Sequence, residues 1–313
     1  MNTSISKTAT SSDAFLEPAL FYRSARDGMQ DFLTNSLKSP DDGVLLPAYI
    51  GWSQREGSGV FDPIRNLGAR HGFYGLNADL TVDLEELERR IVADSYRVLL
   101  VIHYFGRTDP NIAVIRNIAD RRGVLLVEDL AHGFFSARRG GTAGRYGHVR
   151  LFSLHKMFPF ADGGMVTYEA PSFVTGQKGN APELAAQLLS YNWSMIAKAR
   201  RRNFLILSER LCALPECGNA FVLLWPELDE YDTPQTLPVR ILKANRDQIY
   251  ERMNSEGFGM VSLYHTLIDE VRSEFDDLME LSHQIINFPV HQDITLAALD
   301  EMVLTFQRSL GWK

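Results

Sequence analysis

The chain has 313 residues, 45% of them hydrophobic and 23% charged, the balance of a soluble globular protein with room for one large domain or a large and a small one. A formal charge of -7 and the absence of any long basic run argue against non-specific nucleic-acid binding. The densest basic cluster, Lys198 to Arg202, suits a helix face.

The opening residues, MNTSISKTATSSDAF, are polar and rich in Ser and Thr, without the apolar core of a signal peptide. Residues 1–14 are therefore expected to form a flexible tail. No apolar run approaches the ~20 residues of a membrane span. The two cysteines, Cys212 and Cys217, have no further Cys or His pair beside them for zinc and suit a reducing compartment. A cytoplasmic location, with no membrane and no metal, is the expectation.

In chain order, Met29, Phe32, Leu33 and Leu37 predict a helix over about 24–38. Strand-like Val44–Tyr49 follows the turn at Asp41-Asp42-Gly43, and 51–59 reads as a Gly/Ser-rich loop. A short strand near 71–76 precedes a helix at 83–93, which opens with acids and closes on Arg89-Arg90. A buried strand at 97–104 and a helix at 111–122 lead through Gly123 to a strand at 124–128. Short strands at 149–153 and 164–168 come next, then a long helical run over 183–213. Apolar segments at 221–226 and 237–242, a helix at 244–256, an apolar stretch at 258–267 and a helix at 296–309 complete the chain. Alternation of strand and helix in the first half predicts an α/β fold: a mainly parallel sheet covered by helices on both faces. The α+β pattern after it predicts a smaller C-terminal domain, giving 15–194 and 195–313 as the two units.

Open α/β sheets bind ligands at the carboxyl ends of their strands. Asp129 ends one predicted strand, His103 and Tyr104 end its neighbour, and Ser153 and Lys156 follow another. Alone, an Asp after a strand is usually a turn residue and a lysine is usually solvated. Together, an acid past one strand and a lysine past another form the arrangement that pyridoxal 5'-phosphate requires. The lysine amine condenses with the aldehyde, while the acid keeps the pyridine nitrogen protonated.

The segment Glu128-Asp129-Leu130-Ala131-His132 and the Gly163-Gly164 pair seven residues past Lys156 resemble motifs of the DegT/DnrJ-type aminotransferases, pyridoxal-phosphate enzymes of fold type I. The resemblance runs from about Phe21 to the C-terminus. It implies that Lys156 carries the cofactor, that Asp129 partners the pyridine nitrogen and that His132 lies near the ring. It further implies that Ser24, Ala25 and Arg26, opening the first helix, hold the phosphate, with Ser153 as a second ligand; free amides at a helix N-terminus suit a dianion. The Pro47–Trp52 segment is similar to the stretch that stacks an aromatic on the ring, with Trp52 favoured over Tyr49. Ser190-Tyr191-Asn192-Trp193-Ser194-Met195 is similar to a segment whose Asn reaches a partner's phosphate, so Asn192 implies a homodimer with shared sites. Ser194 replaces the usual Arg there. His155 is expected to point away, His103 to be structural or functional, and His291 to sit in a turn.

By resemblance the reaction is transamination from an amino acid, glutamate by expectation, to a carbonyl acceptor, a keto-sugar or its nucleotide-linked form. The alternatives are a pyridoxamine-phosphate-dependent sugar dehydratase and a cofactor-binding regulator without turnover. Relatives that dehydrate sugars replace the lysine by His, and the Gly-Gly spacing selects Lys156 over His155.

Overall fold

In a computed structural model, residues 18–311 are described; the expected tail at 1–14 lies outside them. Seven strands form the first sheet in the order β1-β7-β6-β5-β4-β2-β3. They are β1 (Ala19–Tyr22), β2 (Gly43–Pro47), β3 (Arg70–Tyr74), β4 (Tyr96–Ile102), β5 (Leu125–Asp129), β6 (Val149–Ser153) and β7 (Gly164–Tyr168). The neighbours from β3 to β6 pair in parallel, while β7 pairs antiparallel with both β6 and the edge strand β1. The expected mainly parallel α/β sheet is what forms.

Both sheet faces are covered, and the strand sequences show why. Val44, Leu46, Val98, Leu100 and Val127 enter one core with Met29, Phe32 and Leu33 of helix α1 (Ala25–Ser36). Leu45, Leu99, Val101 and Leu126 enter another with Leu87 and Ile91 of α3 (Leu84–Ala93) and Ile112, Ile115 and Ile118 of α4 (Ile112–Arg122). Alternate residues facing opposite sides thus give continuously apolar strands. Helix α3 starts at Asp83, whose carboxylate accepts the Glu85 and Glu86 amides, and α4 stops at Gly123 with φ of 65°. A short α2 (Asp62–Asn66), absent from the sequence reading, begins where Pro63 favours a first helical turn.

The predicted long helix at 183–213 is two helices, α5 (Leu184–Leu189) and α6 (Trp193–Cys212). Asn192 breaks the run because its side chain caps α6, accepting the Met195 amide at 3.0 Å. A second sheet, β10-β9-β8, comprises β8 (Phe221–Leu223), β9 (Thr236–Ile241) and β10 (Ile285–Pro289), all antiparallel. It packs with α6, α7 (Arg246–Ser255) and α9 (Leu296–Ser309) around Phe204, Phe221, Phe288 and Phe306. Residues near 263–281 return to the first core: Leu267, Ile268 and Val271, then Leu278 and Leu281 of α8 (Asp276–Gln284), pack there.

Candidate active site

The carboxyl ends of β4, β5 and β6 lie side by side, with Ile102 opposite Asp129 and Asp129 opposite Leu151. On the next strand Gly164 stands opposite both Ser153 and Tyr22. Because β1 ends there, the first turn of α1 begins at the same edge. A Cβ on Gly164 would come within 2.5 Å of the Ala25 nitrogen, so only glycine lets the helix start seat against β7.

Lys156 Nζ lies 3.0 Å from His132 Nε2. His132 Nδ1 accepts the Phe105 amide at 3.1 Å, which leaves the ring proton on Nε2, directed at the lysine. Burial, reinforced by the Lys156 charge, holds the imidazole well below its ordinary pKa, so the ring is neutral. Burial also lowers the Lys156 amine, against the pull of Asp129 and Glu56. Asp129 is 3% exposed; burial raises its carboxyl, and Lys156 opposes the rise. Its Oδ1 accepts the Ala131 amide at 2.8 Å. A neutral imidazole, a lysine whose pKa is lowered by burial and a buried acid are thus brought together.

Phe105 lies parallel to His132, with ring centroids 6.1 Å apart, and Tyr264 meets the same ring edge-on at 5.8 Å. Tyr264 also stacks on Tyr49 at 5.0 Å, and its backbone is left-handed, φ 58°, unusual for so large a side chain. Sequence reasoning passed over Tyr264 within the apolar stretch 258–267, where nothing local marks it. Tyr49 is fully buried in this cluster, whereas Trp52 is 41% exposed. The structure therefore brings Tyr49, rather than the favoured Trp52, to the aromatic cluster around His132.

The other expected residues fall as follows. Ser24 caps α1 by accepting the Asp27 amide at 3.1 Å, and Ala25 and Arg26 form its first turn. The Arg26 guanidinium bonds the Glu56 carbonyl and lies 3.7 Å from Asp62. Ser153 is buried at the strand end, its hydroxyl 3.2 Å from His155 Nδ1; His155 also faces Asp162 at 3.3 Å. His103 is not in the lysine pocket: it bonds buried Glu128 at 2.8 Å and accepts the Asp109 amide at 3.0 Å. His291 sits before α9, as expected. Asn192 is exposed on its helix cap, and its geometry is that of a single chain. A cavity of about 400 Å³ lies not at Lys156 but beyond it, between the Pro159–Asp162 loop and α5.

These residues fit pyridoxal phosphate: a half-buried lysine, a buried acid at a strand end and a helix N-terminus brought close by Gly164. Residues 39–178 match the sequence profile of the DegT/DnrJ/EryC1/StrS aminotransferase family. Over this segment, which contains Asp129, His132, Ser153 and Lys156, the chain carries the family's pattern, and the resemblance read from the sequence stands.

Two curated relatives align in part. A GDP-perosamine synthase of Vibrio cholerae is 30% identical over 89 residues, 28% of this chain and 24% of the relative. A UDP-4-amino-4,6-dideoxy-N-acetyl-beta-L-altrosamine transaminase of Campylobacter jejuni is 26% identical over 112 residues, 36% of this chain and 28% of the relative. The aligned part thus spans about a quarter of each relative's length. The fold matches NtdA from Bacillus subtilis, solved with bound cofactor PMP, with a TM-score of 0.75 at 17% identity, covering 94% of this chain and 73% of that one.

Proposed function

We propose that the protein is a pyridoxal-phosphate-dependent aminotransferase that moves an amino group from an amino acid, glutamate first among candidates, to a keto-sugar or nucleotide-linked keto-sugar. The observation that carries this reading is the Lys156–His132 contact beside the buried carboxylate of Asp129. When bound, pyridoxal phosphate supplies an electron sink for the donor's α-carbanion. Lys156 Nζ takes and returns the α-proton as general base and acid. The His132 ring, 3.0 Å from Nζ, orients the lysine amine. Asp129 would keep the ring nitrogen protonated, and the amides of Ala25 and Arg26 at the α1 start would bind the phosphate dianion. Tyr49, Tyr264 and Phe105 exclude water around the lysine.

The sugar acceptor rests on the named activities of the two partial relatives. The lysine's place in the pocket, with His155 turned to Ser153 and Asp162, supports transfer over dehydration. We infer a homodimer in which Asn192 of the partner subunit completes the phosphate site, supported by the exposure of that residue at the α6 start. A cytoplasmic enzyme is consistent with two free cysteines and with no helix, among the described residues, long and apolar enough to cross a membrane.

Adding glutamate alone to the purified holoenzyme tests the reading: the cofactor absorbance should shift to that of pyridoxamine phosphate. No shift with any amino donor would refute it. Mixing Lys156→Ala with Asn192→Ala subunits, each inactive alone, should restore part of the activity if sites are shared.

A further inference from the structure

Arg200, on α6, is 4% exposed, and its hydrogen bonds go to backbone carbonyls rather than to a carboxylate. Burial pushes its guanidinium down to about 10, with Asp293 opposing, so it is still cationic at neutral pH. A buried, unpaired cation costs several kcal/mol, and an apolar residue of similar size is often as stable or more so. The side chain earns its place by other means than stability.

Its hydrogen bonds show how. Arg200 Nη2 donates at 3.2 Å to the carbonyl of Met157, the residue that follows Lys156. Nη1 donates to the Gln235 carbonyl at 3.4 Å. The Gln235 amide donates to the Phe105 carbonyl at 2.7 Å, and the Phe105 amide donates to His132 Nδ1. His132 Nε2 then returns to Lys156 Nζ. These contacts close a ring that begins and ends at the lysine. Phe105 holds a left-handed φ of 54° within it, and a Cβ on Gly106 would fall 2.7 Å from both the His132 and Thr233 carbonyls. The ring is therefore tight as well as closed.

We propose that Arg200 is a positioning residue for Lys156: it ties the lysine loop to the segment that orients His132, and so fixes the distance between imidazole and amine. The proposal rests on the catalytic reading of Lys156. Its first test uses cofactor-free protein, so the two can fail separately.

Trace acetylation of Lys156 across a pH series, quantified by peptide mass spectrometry, measures the midpoint of its amine. The charged and titratable groups that act on that amine are Asp129, Glu56, His132 and His155. In the wild type the midpoint should lie below the ordinary lysine value of 10.5. In Arg200→Met, a loosened loop lets water reach the amine, so the midpoint should climb toward that value. Its thermal unfolding temperature should hold or rise. In holoenzyme, kcat should fall about tenfold to a hundredfold with KM little changed, since small misplacements of a reacting group cost that much. Arg200→Lys, whose ammonium cannot span both carbonyls, should fall between.

A wild-type midpoint and kcat in folded Arg200→Met overturns the proposal. So does unfolding of Arg200→Met combined with a wild-type midpoint in Arg200→Lys; unfolding with a raised midpoint in Arg200→Lys supports it. If borohydride shows the cofactor on another lysine, the catalytic reading fails, while the acetylation midpoints still report whether Arg200 positions Lys156.

Discussion

Glu128 and Asp129 are neighbours on β5, both buried, and they lead opposite lives. Glu128 accepts from His103 and from the amides of Gly144, Tyr146 and Gly147, so every lone pair has work within the fold. The Asp129 carboxylate, turned to the other face, accepts one protein hydrogen bond among the described residues, from Ala131, and looks to Lys156 for charge. Each acid comes with a histidine. His103 is locked between Glu128 and the Asp109 amide, whereas His132 uses one nitrogen for the Phe105 amide and turns the other to the lysine. The lesson is that burial alone does not mark a reacting group. A saturated carboxylate organises the chain, and an under-satisfied one beside a lysine is held for a ligand.

The contrast breaks most visibly at the lysine. Lys156→Ala should lower transamination by about 10³-fold or more, because the proton shuttle is gone. Cofactor should still bind through the helix start and Asp129, which equilibrium dialysis would show. Asp129→Asn should lose roughly 10²-fold in kcat, since a neutral amide cannot hold a protonated ring nitrogen, with far less loss of cofactor occupancy. Near wild-type turnover in Asp129→Asn would remove that residue from the mechanism. His132→Gln should cost about tenfold in kcat and, in the cofactor-free protein, alter the pH at which Lys156 acetylates.

On the structural side the effects should exchange places. His103→Ala leaves the Glu128 charge and the Asp109 amide short of a partner, so urea unfolding should show a loss of about 3 kcal/mol. The kcat of the enzyme that remains folded should stay within about twofold of wild type. If His103→Ala instead lost activity without losing stability, the division between the two acids would collapse.

Much of this was legible in the sequence. Alternating periodicities located β5, β6, β7, α4 and α9 to within a residue or so, because continuous apolar strands and capped helices leave local signals. The short edge strand β1 and the short α2 lack such periods. The α8–β10 passage was missed because its apolar residues serve two cores: Leu278 and Leu281 pack on the first, Ile286 and Phe288 on the second. At the site, the lysine and the acid were readable because the chemistry constrains both residue type and strand-end position. Tyr264 and Arg200 were not. Each comes from a distant segment, and only the tertiary fold carries one to the His132 ring and the other to the Met157 carbonyl.

The most direct measurement is borohydride reduction of the holoenzyme followed by peptide mapping. The pyridoxyl mass should appear on the peptide containing Lys156. Its appearance on Lys178 or Lys198, or its absence from a protein that holds the cofactor, would contradict the central assignment.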